Sequence, residues 1–444
     1  VEAVAGVTAG AGTPSFFNSG GTRLTATTYD STNNKIVIAY RHFLNSGYGT
    51  AIVGTVSGTS ISFGTAVVFE SANISYPSAT YDSTNNKIVI AYTDAGNGPD
   101  YGTAVVGTVS GTSISFGTPV VFESAACSFN SAIFDVNANK IVIAYQDGGN
   151  SYYGTAIVGT VSGTSISFGT AVVFENAITQ YIAATYDSAN NKIVIGYQDY
   201  GNSSYGTAIV GTVSGTGISF GTAVVFETGD IQYTASTFDS TNNKVVIAYQ
   251  DGANSNYGTA VVGTVSVTAI SFGTAVVFES AATSFISATF DSSSNKAVIG
   301  YYDGGTGYGT VIAGTASGTS ISFGSATVFS GTSSAGDIGA TYDTTNNKTV
   351  VSYYDTSNNG TGVVFTSASS NNTSFIGITA GAISNTATGA INTYGGINTA
   401  QTGLTIASDY YVQADGSLST TSTSPAIKVG QAISATTINL MDLT

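Results

Sequence analysis

Short apolar runs alternate with polar turns through most of the chain, and the alternation itself recurs. The stretch Thr185 to Glu227 reads TYDSANNKIVIGYQDYGNSSYGTAIVGTVSGTGISFGTAVVFE. It parses into a short strand a ending at Asp (ATYD), strand b (KIVIGY), strand c (TAIVGTV) and strand d (GISFGTAVVF). The runs are rich in Val, Ile, Tyr and Phe, too short for helices, and bounded by Asp, Asn, Ser and Gly, which favour turns. Strands b, c and d are apolar on both faces for much of their length, as expected of sheets covered on both sides. No helical pattern appears.

The Tyr-Asp or Phe-Asp pair that ends strand a marks a register: Asp30, Asp82, Asp135, Asp187, Asp239, Asp291 and Asp343, spaced by 52 residues and once by 53. A four-stranded antiparallel unit repeated at this interval and buried on both faces matches a β-propeller blade. The last unit has strands a, b and c but no strand d. GTPSFFNS, Gly12 to Ser19, aligns with GTPVVFES, Gly117 to Ser124, each starting 18 residues before its Asp. The N-terminus is therefore expected to supply the missing strand and remove an open edge. The expected fold is all-β: a seven-bladed β-propeller of four-stranded blades over 1–370, with residues 10–20 completing the last blade, plus a small C-terminal β module over 371–444. In that module strands are expected at SFIGITA, LTIASDYYVQ and AIKVGQAIS, with a hairpin turn at Asp415-Gly416.

Charge narrows the function. Of 444 residues only 8% are charged, and ten Lys and Arg face 25 acidic residues, a net charge of −15. So few cations cannot neutralise phosphates, which excludes nucleic acid as a partner and disfavours anionic membranes. No apolar run is long enough to span a bilayer as a helix, so no membrane insertion is expected. A single cysteine, Cys127, rules out an intramolecular disulfide and is expected to be a buried small hydrophobe. Starting at Val1, the chain is expected to be a processed or partial product. The Thr, Ser, Asn and Gly surface suits an extracellular or virion location.

In an antiparallel blade the a–b and c–d turns share one rim, and the b–c and d–a connections share the other. The first rim is uniform (DSTNNK, VSGTS) and carries one Lys per unit: Lys35, Lys87, Lys140, Lys192, Lys244, Lys296 and Lys348. The second varies, and candidate binding residues are expected there. It carries Asp94, Asp147, Asp199, Asp251, Asp303 and Asp355, with Glu70, Glu123, Glu175, Glu227 and Glu279 where strand d ends. Only Arg23 and Arg41 oppose them. Three readings stand for these acids: local turn hydrogen bonds, a divalent cation such as calcium, or a polar face for sugars or a partner. Six residues before the marker Asp lie Tyr76, Phe129, Tyr181, Tyr233 and Phe285. Aromatics beside carboxylates hold sugars by stacking and hydrogen bonding, and they also pack blades together. The candidate ligand-binding set is these aromatics with Asp147, Asp199 and Asp251.

Catalysis finds no support. His42 is the sole histidine and has no nucleophile pattern around it. Two arginines are too few for a sialidase-like carboxylate clamp, and the repeated acids are equivalents rather than a differentiated acid–base pair. No enzyme and no cofactor are expected. The segment FIGITAGAISNTATGAINTYGGINTAQTGLTIASDYYVQADGSLSTTSTSPAIKVGQAISATTINL resembles the small β modules at the C-terminal ends of bacteriophage tail-fibre and other virion-surface proteins. The blade motif YDSTNNKIVIAY…YGTAIVGTVSGTSISFGTAVVF is similar to repeats of phage and bacterial surface proteins. The resemblance implies a non-enzymatic structural subunit of an extracellular assembly, a virion fibre or homopolymeric filament, self-associating or bound to other subunits. The alternative from the residues is a carbohydrate-binding adhesin that uses the variable face on cell-surface glycans.

Overall fold

The computed structural model describes residues 9–331, 334–367, 378–379, 391–392, 396–412, 417–421 and 428–440. The chain divides into two compact units, Ala11–Phe365 and Thr366–Thr444 with Val1–Gly10.

The larger unit is a seven-bladed β-propeller. In blade 1, strand a is Thr22–Asp30, b is Lys35–His42, c is Tyr48–Ser57 and the first half of d is Ser60–Phe63. The 16-residue strand Val67–Asp82 then pairs with strand c of blade 1 and continues as strand a of blade 2. The same long strand recurs at Val120–Asp135, Val172–Asp187, Val224–Asp239 and Val276–Asp291. The expected d–a loops (ESANISYPS, ESAACSFNS, ETGDIQYTA) are thus strand, which corrects the sequence reading. Register shifts at Gly49/Glu70 and Tyr48/Asn73 let the strand leave one sheet and enter the next, as bulges do. Strands d and a separate in two places, before blade 7 (Thr327–Val328 and Gly336–Asp343) and before blade 1 (Ser15–Asn18 and Thr22–Asp30).

Blade 7 continues with Lys348–Tyr354 and Gly360–Thr366, and the N-terminal strand Ser15–Asn18 pairs antiparallel with the latter, Ser15 opposite Gly362 and Phe16 opposite Thr361. Neighbouring a strands touch all the way round, including Gly336–Asp343 against Thr22–Asp30. The ring is closed as the sequence indicates.

Three repeated contacts hold blade to blade. First, the Phe ending each d strand packs on the buried Tyr of the next blade's b strand: Phe69 on Tyr92 and Phe174 on Tyr197, both at 5.2 Å between ring centroids. Second, the glycine between the two halves of d meets the next blade's c–d turn. A Cβ on Gly117 would sit 1.9 Å from the Thr164 carbonyl oxygen, so only glycine fits. Third, the uniform rim is stitched by side chains: Tyr81 Oη donates to Thr32 Oγ1 at 2.6 Å, and Thr32 Oγ1 donates to Asn86 Oδ1 at 2.7 Å.

That rim is uniform because nearly every position has a task. Asp82 Oδ1 accepts from the Thr84 and Asn85 N–H groups at 3.0 and 2.9 Å, and Oδ2 accepts from Asn85 Nδ2 at 2.8 Å. The last Asn of each turn is left-handed (Asn86 φ 53°), a conformation Asn tolerates better than most residues. The core lies between blades, where Ile36, Val37 and Ile38 and their counterparts are wholly buried. Burying each such side chain is worth roughly 1.5–3 kcal/mol. Cys127 is buried among them.

The smaller unit has a five-stranded antiparallel sheet in the order Ile397–Asn398, Thr437–Leu440, Lys428–Ser434, Asp409–Val412, Leu418–Ser419, with Ile378–Thr379 paired to Ile391–Asn392 apart from it. Leu404, Tyr410, Val412, Val429, Ile438 and Leu440 form its core. Of the described residues of the expected LTIASDYYVQ strand, Asp409–Val412 is the strand, and Ala407 at φ 63° breaks the run before it. Most of SFIGITA and the Asp415-Gly416 turn lie outside the described residues.

Candidate functional site

Every strand a carries a register shift near its start, such as that between Ser75 and Ser78. The residue inside it is left-handed in all seven blades: Leu24, Tyr76, Phe129, Tyr181, Tyr233, Phe285 and Asp337, with φ between 46° and 53°. Bulky residues rarely adopt this conformation, and it costs of order 1–3 kcal/mol each. The bulge gathers these side chains at the mouth of the central channel, on the variable face, around a cavity of about 270 Å³.

The five aromatics form a continuous arc. Successive ring centroids lie 4.9, 5.3, 5.5 and 5.4 Å apart, all tilted rather than stacked. Tyr76 remains 38% exposed. The Tyr181 hydroxyl donates to Gln232 Oε1 at 3.4 Å, and burial raises the pKa of both Tyr76 and Tyr181. The arc is broken where blades 7 and 1 place Asp337 and Leu24. There the Leu24 N–H donates to Asp337 Oδ2 at 2.7 Å, and burial raises the Asp337 carboxyl against the pull of that bond and of Arg23 and Arg41.

The candidate carboxylates have other work. Asp147, Asp199 and Asp251 cap short 3-10 turns, accepting from the N–H groups of Asn150, Asn202 and Asn254 at 3.1, 3.2 and 3.1 Å. They are 8%, 8% and 6% exposed, and burial raises all three pKa values. They pair across the sheet with Tyr153, Tyr205 and Tyr257 and do not join the aromatic arc. The Glu residues are likewise engaged: Tyr92, Tyr197, Tyr249 and Tyr301 donate to Glu70, Glu175, Glu227 and Glu279 of the preceding blade at 2.9–3.0 Å. Turn hydrogen bonds engage these Asp side chains, whereas the Glu side chains bond across blades. Among the described residues no set of three or more His, Cys, Asp or Glu side chains gathers as a metal site.

Sequence reasoning did not bring together one group. Arg23 and Arg41 stand opposite each other across strands a and b of blade 1. With Gly21, Leu24, Phe43 and Asn358 they line a cavity of about 240 Å³ beside the channel mouth. The signal was present: no other blade puts a cation at either position. His42 stands where the other blades have Asp, and burial lowers its pKa.

No protein-family model and no curated protein matches the chain. Among solved structures the chain is similar to AofleA from Arthrobotrys oligospora, at 10% identity and a TM-score of 0.45, over 72% of this chain and 94% of that one. A triple Arg-to-Ala variant of AofleA matches with the same values.

Proposed function

We propose that the propeller is a non-enzymatic carbohydrate-binding module, an adhesin acting outside a cell, with the channel mouth as its site. The observation that carries this reading is the partly exposed aromatic arc Tyr76–Phe129–Tyr181–Tyr233–Phe285 around an open cavity. The rings also pack at the blade seams, Phe129, Tyr233 and Phe285 against the core, but that packing does not demand an aromatic at this position. Blades 7 and 1 close with Asp337 and Leu24 at the same positions, and the Phe–Tyr pairs farther from the axis hold every blade. Aromatic faces stack on the C–H faces of sugars, while the Tyr hydroxyls and Asp337 supply donors and an acceptor. A glycan array probed with the wild-type protein and with Tyr181→Ala/Tyr233→Ala tests the reading. Binding that the double variant loses supports it; no binding to any glycan overturns it.

A second reading, a structural subunit of an extracellular assembly such as a virion fibre or surface filament, is favoured by a different observation. Phe16, Val68, Val121, Val225, Val277 and Val328 are exposed at equivalent positions on the outer strands, an apolar band around the circumference that a second copy could cover. Light scattering across a concentration series tests it. A particle mass that stays that of one chain overturns it. Among the described residues no helix is long and apolar enough to cross a membrane.

A further inference from the structure

We propose that the cavity between blades 7 and 1 binds the carboxylate of an acidic sugar residue through Arg23 and Arg41. The proposal deepens the glycan reading and rests on it for the nature of the ligand's scaffold.

The chain has two arginines, and the fold puts both in this cavity. They face each other directly across an antiparallel pair. Like charges in that position destabilise a sheet. The sibling blades avoid the clash with neutral pairs: Ser75 opposite Thr93, Ser128 opposite Gln146, Gln180 opposite Gln198. Blade 1 therefore carries a repulsion that the sibling blades lack, which the single carboxylate of Asp337 offsets in part and a bound anion would relieve further.

The guanidinium groups are also under-used. Among the described residues neither is ion-paired, and Arg41 Nε is buried with no hydrogen-bond partner. Arg23 lies over the Tyr354 ring at 4.0 Å and spends one bond, from Nη1, on the Thr22 carbonyl at 3.1 Å. Arg41 lies 5.6 Å from the Phe43 ring centroid. Stacking occupies a guanidinium face and leaves its N–H edge for a planar acceptor. The nearby Asp337 already pulls on both arginines, but it is one carboxylate facing two guanidinium groups and its Oδ2 also accepts from Leu24, which leaves positive charge for a second anion.

A guanidinium fork binds either a carboxylate or a phosphate through two parallel hydrogen bonds, and charge selects the carboxylate. The surrounding face is acidic in a protein of net charge −15, which repels a dianion more than a monoanion. Leu24 and the 58%-exposed Phe43 offer the apolar flank that a sugar ring requires. Leu24 also lines the channel mouth, so one oligosaccharide can reach both places.

The test is a titration series with sialylated and uronate-bearing oligosaccharides, each beside its carboxyl-reduced counterpart. The variants are Arg41→Gln and Arg41→Lys. Gln is the residue blades 3, 4 and 5 carry at this position, so Arg41→Gln is compatible with the fold. We expect at least tenfold weaker binding on carboxyl reduction, a similar loss in Arg41→Gln, and partial retention in Arg41→Lys. Equal binding of acidic and reduced forms, with neutral glycans still lost in Tyr181→Ala/Tyr233→Ala, overturns this inference and leaves the glycan reading standing. Binding to no oligosaccharide overturns both.

Discussion

Phe17, from the first residues of the chain, lies 5.2 Å from the ring of Tyr40, the same separation as Phe69 from Tyr92 inside the covalent repeat. Its ring also sits over Gly360, where a Cβ would approach Phe17 Cε2 to 2.2 Å, as Phe69 sits over Gly49. The joint between the two ends of the ring is thus built like the others. Phe17→Ala is expected to destabilise the propeller by about 3–5 kcal/mol, as much as Phe174→Ala at an uninterrupted joint. Urea unfolding of the two variants checks this. A negligible effect at Phe17 would show a ring held without its N-terminal strand.

Gly117 and Gly324 occupy equivalent positions with different neighbours. A Cβ on Gly117 would meet the Thr164 carbonyl oxygen at 1.9 Å, whereas a Cβ on Gly324 would have its nearest neighbour at 3.8 Å, because blade 7 has no c–d turn to approach it. Gly117→Ala should cost at least about 1–3 kcal/mol through overpacking. Gly324→Ala should be neutral or stabilise by about 0.4–1 kcal/mol by restricting the unfolded chain. Denaturation midpoints of the two variants decide; equal losses would contradict the proposed close approach between blades.

Burial raises the carboxyl pKa values of Glu70, Glu123, Glu175, Asp147, Asp199, Asp251 and Asp337. Between the unfolded values, near 4, and these raised ones, the folded state binds more protons than the unfolded state. Stability should therefore rise as pH falls from neutral through the raised values. His42, lowered by burial, opposes this as a single group. At the other end, Tyr92 and Tyr197 are raised above their ordinary value by burial and the adjoining Glu70 and Glu175. The unfolded chain ionises first there, so stability falls above a pH of about 10. Thermal unfolding at about pH 4.5, near the unfolded carboxyl values, and at about pH 7.5 checks the acid arm: the midpoint should be higher at the lower pH.

Cys127 is 1% exposed, donates from Sγ to Asn130 Oδ1 at 2.9 Å, and has its pKa pushed well up by burial and by Glu123 and Asp147. It should react with a thiol reagent only on unfolding, and rapid labelling of the native protein would contradict its burial.

Much of this architecture was legible in the chain. The Asp markers gave the blade count, and the offset of Gly12 from Asp30 gave the closure, because both record local chemistry that each blade repeats. The d–a connection was not legible. Segments such as ESANISYPS mix small and polar residues and read as loops, yet they are strand, since their backbone is used to cross between sheets. The left-handed state of Tyr76 and its counterparts was also hidden, because aromatic residues carry no signal for it. Position in the repeat still marked the aromatics as a set. Asp147, Asp199 and Asp251 looked available because sequence does not show that the N–H groups of Asn150, Asn202 and Asn254 already engage them.

The central claim is that the aromatic arc at the channel mouth binds sugar. Its most direct measurement is isothermal titration of an oligosaccharide identified on the array into wild-type protein and into Tyr181→Ala/Tyr233→Ala, with thermal midpoints measured in parallel. The account predicts a loss of affinity of at least tenfold with a folded, cooperatively melting variant. Unchanged affinity in the double variant would contradict it.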